Sequence, residues 1–548
     1  MRVEAVSVAY PSPLVNSYLN DFAKVRDLFE HDPRQDISFQ HRFEIIKNDY
    51  QMNRQDLVRF LSEYNEKLGC GEPTRENLRK LGDPETTVVI TGQQAGVLTG
   101  PLYTIYKTIT VIQLAEKAAL ILGKPVVPAF WVAAEDHDFA EIDHLDFINK
   151  EQQVVRLRLE YQPEGRFSVG HLPMTEAVQR LIEQFAAETN PSEWKTEIIT
   201  KLKNLADSSD NLADWFAAVM TWLFGDYGVI LINPLNLHLR RLWGGTFKAF
   251  LQKTEPINAA LLAGASRVRA LGVEPQVVTA DDNAHLFYYA DGERLPLLRQ
   301  EDKFLVRGRH EILTLDELTE IAETSPQLLS PNVVLRPVAQ DVLLPILAYV
   351  AGPGEISYYA LYREIYPLFG QSMPIIYPRA NITIVERGIS KHMDKYGVKF
   401  DEGLAGLHQK LSGILEDADE IGIEQLFADY SEELKKSFNE IVDKVAVMDR
   451  ELTRHGQESL NKMLYQLGYF AKKARQSHRK SCDLTVNRFR SIEHQLFPRN
   501  NWQERVFNIF PYLFKYGLGL INEITDTPLI GNNMHKLLYL GENSPAER

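Results

Sequence analysis

Apolar residues fall along this chain in two patterns. The first is short and continuous: "TVVI" (87–90), then the apolar parts of "KPVVPAFWVAAEDHDF", "YGVILINP" (227–234), "DVLLPILAYVAGPGE" and "MPIIYPR". Runs of this length, flanked by Gly, Pro and polar residues, predict strands buried on both faces, as in a parallel sheet. The second pattern recurs at helical spacing. Leu102, Ile105, Ile109 and Ile112 carry it from Pro101 to about Ala119, and residues 14–69 and 174–226 also read as helices. A further helix is expected from about Ser357 to Tyr366. Strand, glycine loop, helix, strand is a βαβ unit, whose right-handed crossover implies a parallel sheet.

Between 141 and 330 that alternation breaks. Residues 141–172 predict strand pairs, and 275–306 predict hairpins with "ADGE" as one turn. From Arg379 the texture changes again, with no proline between Pro378 and Pro498. Leu426, Tyr430, Leu434, Ile441, Val445, Met448 and Leu452 fall near a 3.5-residue period, followed by Leu460, Met463, Leu464, Leu467 and Phe470. This predicts long helices with a coiled-coil seam, interrupted at Gly456 and Gly468. The expected organisation is an N-terminal helical segment (1–85) packed on the core and a first core half (86–140). Connecting insertions (141–330) follow, with one core strand near 228–233, and then a second core half (331–380). A helical coiled-coil domain (381–497) and a C-terminal segment (498–548) packing back on the core complete it. The fold class is α/β.

Composition narrows the function. A chain of 548 residues, 44% apolar and 24% charged, suits two to four globular domains. Its net charge of −14 argues against a nucleic-acid footprint. No run approaches 18 apolar residues, and "MRVEAVSVAYPSPLVNSYLNDF" lacks the apolar core of a signal peptide, so a cytoplasmic protein without membrane spans is expected. The two cysteines, Cys70 and Cys482, form no ligand spacing or disulfide framework and fit a reducing compartment.

Candidate chemistry gathers at the ends of the apolar runs. "TGQQAGVLTGP" (91–101) places Gly92, Gly96 and Gly100 four residues apart. It is neither a Walker A loop nor a dinucleotide fingerprint. A Gly-rich loop between a strand and a helix, with Gly100 as N-cap and Pro101 in the first turn, presents free N–H groups to an anion. Gln93, Gln94 and Thr99 would add polar contacts, and Tyr103 and Lys107 share a helix face turned back to the loop. The alternative is a tight turn whose glycines serve packing alone. "WVAAEDHDFAEIDH" crowds Glu135, Asp136, His137, Asp138, Glu141, Asp143 and His144 at the next strand end. They could contact substrate, supply a general base in His137 or Asp136, ligate a metal, or be a solvated loop. "AGPGEISYY" offers Gly352, Gly354 and Glu355 to a nucleotide, and "YPRANIT" offers Arg379 and Asn381. The basic run "KKARQSHRK" (472–480) reads as a solvated helix face. His171, His238 and His285 read as structural.

Together, "ITGQQAGVLTGPLYTIYK", "PAFWVAAEDHDFAEIDH", "YVAGPGEISYYA" and "LFPRNNWQERVFN" make the chain resemble, over essentially its whole length, the bacillithiol-synthesis family of cysteine ligases. The resemblance implies a Rossmann-like core similar to class I aminoacyl-tRNA synthetases and nucleotidyltransferases, with connecting insertions and a coiled-coil domain that dimerises. It also implies cysteine and glucosaminyl-malate as substrates. The histidine motif that holds ATP in those synthetases has no counterpart in Gly96–Tyr103, and no Lys-Met-Ser-Lys-Ser loop is present.

Amide formation requires an activated carboxylate, so ATP is the expected co-substrate, with magnesium accompanying the nucleotide. On this reading Lys107, Asp136 and His137 are catalytic. Gln93, Gln94, Thr99, Tyr103, Glu135 and Asp138 contact substrate. Gly92, Gly96, Gly100, Gly352, Gly354, Glu355, Arg379 and Asn381 contact the nucleotide, and no resident metal is assigned. Two other classes stay open: a metal-dependent hydrolase using the Glu135–His144 cluster, and a non-catalytic coiled-coil scaffold with a relic nucleotide pocket.

Overall fold

In the computed structural model, which describes residues 1–277, 280 and 282–541, the continuous apolar runs become one sheet. Its strands are β1 (Thr87–Gln93), β2 (Val126–Val132), β3 (Ile230–Ile232), β4 (Ile346–Ala351) and β5 (Ile375–Pro378). They lie in the order β5-β4-β1-β2-β3, and every neighbouring pair is parallel. β1 and β2 stay in register from Thr87↔Val126 to Gln93↔Val132. β1 is central, and successive residues face opposite layers. Val88 and Ile90 pack with Trp131 and Ile230 on one side, and Val89 packs with Val111, Leu114 and Val350 on the other. Two covered faces explain an unbroken apolar run.

This is a Rossmann-like core. The chain fills one side of β1 with β2 and β3, then crosses to place β4 on its other side. The strand order therefore reverses between β1 and β4, and a crevice opens at their C-terminal ends.

Helix α1 (Leu102–Leu122) joins β1 to β2 and ends at Gly123, whose φ of 60° gives a left-handed C-cap. Its N-cap is Pro101 rather than the expected Gly100, which stands outside the helix at φ 68°. Helix α2 spans Pro353–Tyr359, earlier than the expected 357–366. Pro353 takes the first helical position and Glu355 accepts the Gly352 N–H at 2.7 Å, so the helix starts directly after β4.

Within the 141–330 stretch, His144–Ile148 pairs antiparallel with Val154–Arg158. A five-stranded antiparallel sheet is built around the hairpin of Asn283–Ala290 with Glu293–Gln300. Its turn is the expected one, with Asp291 at φ 50° and Gly292 at φ 81°. Residues 278, 279 and 281 of the expected hairpin region lie outside the described residues.

Two compact units divide the chain: Met1–Ile384 with Asn501–Leu538, and Val385–Asn500 with residues 539–541. Residues 542–548 of the expected C-terminal segment lie outside the described residues. The second unit is helical. Its long members are α3 (Ile423–Ala446) and α4 (Glu451–Ser481). They run antiparallel, since Phe427 stacks edge-on with Phe470 (ring centroids 5.5 Å apart) while Gln457 donates to Asn439 at 2.9 Å.

Gly456 and Gly468 do not interrupt α4. A Cβ on Gly456 would lie 2.5 Å from Val442 Cγ2, so that glycine marks close helix approach instead of a break. Val442 and Leu460 are buried, whereas Tyr430, Ile441, Met448 and Phe470 of the expected seam are exposed. Among the described residues no helix is long and apolar enough to cross a membrane.

Candidate functional site

The loops after β1, β2 and β4 meet at the crevice. Gly92, Gln93 and Gln94, then Glu135, Asp136 and His137, then Gly352, Gly354 and Glu355 line one cleft of about 660 Å³. That volume suits a nucleotide-sized ligand. Tyr103 and Lys107 of α1 form its floor, and Arg379, which follows β5, joins them. The insertion contributes Phe287 and Arg294, while Arg336 and Arg505 enter from later parts of the chain.

Lys107 is buried and fully engaged. Its ammonium lies 2.6 Å from Glu355 Oε2 and donates to Gly92 O at 2.8 Å and Gln93 Oε1 at 3.1 Å. Burial lowers the Lys107 pKa against the opposing pull of Glu355. Burial would raise that of Glu355, yet Lys107, the Gly352 N–H and the Tyr349 hydroxyl together hold it below the usual carboxylate range. Both Glu355 oxygens are occupied, so it shapes the cleft wall and is not free for the nucleotide contact expected from the sequence. Arg379 is also spent. Its guanidinium forms a bidentate buried pair with Glu504, at 2.9 and 2.7 Å, which leaves it neutralised rather than ready for phosphate.

The acidic run after β2 disperses. Glu135 is buried and paired with Arg240, which corrects its assignment to substrate contact. Asp143 pairs with Arg158 and with His144 Nδ1. Asp138 is exposed and outside the cleft lining. Among the described residues no three His, Cys, Asp or Glu side chains converge as a metal would require.

Asp136 and Glu141 remain, both hydrogen-bonded by the Gln94 amide at 2.8 and 2.7 Å. Neither has a Lys or Arg ion pair among the described residues. Gln94, Arg294 and two loop N–H groups outweigh burial and hold Asp136 below its ordinary pKa. His137 packs edge-on against Phe287, with Arg294 Nη1 3.4 Å from its Nδ1. Burial, and then the Arg294 charge, lower its pKa, so the imidazole is neutral at pH 7.

Three further arginines line the cleft. Arg294 donates to Ser330 Oγ and Pro331 O, each at 2.8 Å, and its guanidinium carbon lies 3.9 Å from the Phe287 ring centroid. Arg336 donates to the Tyr358 hydroxyl at 3.0 Å. Arg505 is exposed at the cleft rim. No carboxylate pairs with any of the three among the described residues. Nothing in their spacing marked them, although Arg505 lies inside the quoted "LFPRNNWQERVFN" stretch.

The second half of the glycine loop does not reach the cleft. Gly96, Thr99 and Gly100 are buried, and none of them lines it. Four N–H groups of this connection are taken: Gly96 by Gln94 O, Val97 by Ile142 O, Gly100 by Val97 O and Leu102 by Phe507 O. A Cβ on Gly96 would lie 2.9 Å from Gly100 Cα, so these glycines let the turn close on itself. Asn381 is also away from the cleft, buried with its amide on the Tyr10 hydroxyl.

Residues 1–380 match the family domain described as "Bacillithiol biosynthesis BshC, N-terminal Rossmann-like domain". Residues 382–540 match its "C-terminal coiled-coil domain". A relative from Desulforamulus reducens is 37% identical, with 98% of this chain and all of the relative covered. One from Symbiobacterium thermophilum is 38% identical, covering 98% and 99%. Both carry the name "Putative cysteine ligase BshC". A solved arginyl-tRNA synthetase-like chain from Campylobacter jejuni covers 82% of this chain and 94% of its own, at 10% identity and a TM-score of 0.22, too slight a likeness to carry an argument.

Proposed function

The chain belongs to the bacillithiol biosynthesis BshC family, and from that premise we propose that the cleft joins cysteine to the glucosamine amine of glucosaminyl-malate. ATP activates the cysteine carboxylate as an acyl phosphate, with ADP leaving, or as an adenylate, with pyrophosphate leaving. The amine then attacks that carbonyl, expelling phosphate or AMP and losing one proton as the amide forms.

The observation that carries this reading is the presence of open charge of both signs around the cleft. Among the described residues Arg294, Arg336 and Arg505 form no ion pair with a carboxylate, and Asp136 and Glu141 form none with a lysine or arginine, although the Arg294 charge favours ionised Asp136. An amide-forming site needs both: cations for phosphate and carboxylate groups, and carboxylates for ammonium groups. The nucleotide phosphates fit the arginines better than the second half of the glycine loop, where Gly96, Thr99 and Gly100 stay outside the cleft lining and the Gly96, Val97 and Gly100 N–H groups are already engaged. Magnesium held by one or two carboxylates together with phosphate fits Asp136 and Glu141.

Neutral His137 takes the proton from the attacking amine. Its Nδ1 faces Arg294, which only donates, so an anion that draws Arg294 away frees that nitrogen to accept. The exposed Tyr430, Ile441, Met448 and Phe470 support dimerisation through the 423–496 helices. Both cysteines are unpaired, which supports a reducing cytosol.

The test is to incubate the purified protein with cysteine, ATP and glucosaminyl-malate and resolve all products by mass. The expected outcome is an amide of cysteine and glucosaminyl-malate formed together with AMP or ADP. No product dependent on both cysteine and ATP would sink the reading.

A further inference from the structure

The turn between β1 and α1 holds three consecutive residues at positive φ: Leu98 at 50°, Thr99 at 74° and Gly100 at 68°. Only the last is glycine. A β-branched threonine in this region is an outlier that persists only where its surroundings impose it. Both Leu98 and Thr99 are buried. What imposes the turn comes from 410 positions along the chain, where the Asn508 amide donates to Leu98 O at 2.6 Å. The same nitrogen donates to Gly100 O at 2.9 Å. Its Oδ1 accepts the Phe510 N–H at 3.0 Å, which fixes the orientation of the amide. The Asn508 N–H donates to Asp146 O at 3.1 Å, and the preceding residue, Phe507, accepts the Leu102 N–H at 2.7 Å.

Only a side chain with two hydrogens on one atom can serve both carbonyls from that point. An aspartate would set a carboxylate against two oxygens, and a serine would reach one at most. The clamped turn separates the two groups of cleft residues on this connection. Gln94, before it, holds Asp136 and Glu141. Tyr103 and Lys107, after it, contact Gln93, and Lys107 also holds Glu355.

We propose that Asn508 is a positioning residue of this site: by holding the left-handed turn Leu98–Gly100 it sets Gln94 against the cleft carboxylates and seats the start of α1 against β1. The proposal rests on the reading of the cleft as a ligase site. Asn508 is not among the residues that line the cleft, so its effect passes through the turn.

A substitution that relieves the turn tests this directly, because glycine adopts the Thr99 conformation without penalty. Asn508→Ala and the double variant Asn508→Ala/Thr99→Gly are compared with the parent well below their melting temperatures, with circular dichroism showing each fully folded. The expected result is a fall in kcat of roughly 10–100-fold for Asn508→Ala with the KM for ATP held, and recovery of most of it in the double variant. A purely structural residue would lower the melting temperature without this pattern.

A folded Asn508→Ala with parental kcat would overturn the proposal, and so would a loss that Thr99→Gly does not recover. If Asn508→Ala does not fold, Asn508→Ser, which keeps one donor, is read the same way. If the parent itself forms no product, the ligase reading fails separately. The proposal is then judged by amide hydrogen exchange over Gln93–Lys107, with protection expected to fall in Asn508→Ala and return in the double variant. Unchanged protection in the single variant would overturn it.

Discussion

Lys107 and Glu355, on helices that follow β1 and β4, form a buried ion pair of 2.6 Å at the point where the strand order reverses. Two non-adjacent segments are thus joined under the cleft floor. Replacing Lys107 by Ala leaves the Glu355 carboxylate buried and unpaired. The expected cost is about 3–5 kcal/mol in urea unfolding. The double variant Lys107→Met/Glu355→Gln should lose much less, because no buried charge is stranded. A single variant as stable as the double would contradict this account.

Gly96→Ala should damage the fold rather than ligand affinity. The added Cβ would sit 2.9 Å from Gly100 Cα, which is backbone and cannot swing aside. A loss of about 1–3 kcal/mol is expected from overpacking of this kind. Calorimetric titration of ATP into the remaining folded protein should give near-parental affinity. A stable variant that no longer binds ATP would restore the loop as an anion site.

Arg336→Gln and Arg294→Gln should each weaken an anionic ligand by about 1.5–3 kcal/mol, the scale of a hydrogen bond to a charged group. Arg505→Gln should weaken it less, since Arg505 is exposed and screened by solvent. Titrating ATP and glucosaminyl-malate separately into each variant shows which ligand each arginine serves. Unchanged affinity for both ligands in all three variants would remove the anion-binding wall.

Ile441→Asp with Met448→Asp should yield a monomer in light scattering. Both side chains are exposed in the helical unit, so a single chain tolerates the charges, whereas an apolar interface does not. An unchanged oligomeric state would refute dimerisation through these faces.

His285 should make the protein less stable in mild acid. Asn332 donates to its Nδ1 at 3.1 Å and its Nε2 faces Asn258 Oδ1 at 2.6 Å, an arrangement that suits one neutral tautomer. Burial brings its pKa down to about 4, against an ordinary value of 6.5. The unfolded chain therefore takes up the proton first. The stability His285 contributes is complete above pH 6.5 and is lost as the pH falls toward 4, at about 1.4 kcal/mol per unit. His31 and His535, also brought down to about 4, add to the slope. In denaturant titrations between pH 4 and 7, His285→Asn should flatten that slope by one proton. A slope unaltered by the substitution would exclude this role.

The four quoted motifs sufficed to indicate the family, and the apolar runs sufficed for the parallel core, because a strand covered on both faces cannot alternate. The strand ends that meet at the cleft were legible for the same reason, as polar clusters that terminate apolar runs. The glycine loop is legible only in part. Its composition matches an anion cradle, but composition does not reveal that Phe507 takes the Leu102 N–H and Asn508 the Leu98 and Gly100 carbonyls. Nor does composition reveal that Glu135, Glu355 and Arg379 are paired, since their partners Arg240, Lys107 and Glu504 lie far away in sequence.

The sequence by itself determined what is local and periodic: which segments are strands or helices, which faces are apolar, and where polar clusters end a strand. Such features are carried by neighbours along the chain. Only the tertiary structure decided which charges are spent and which are open. Pairing depends on through-space distances between residues such as Arg379 and Glu504, and no periodicity encodes them. Arg294, Arg336 and Arg505 could therefore become visible as the open cations of the cleft only once folding had matched Lys107 and Arg379 with their carboxylates.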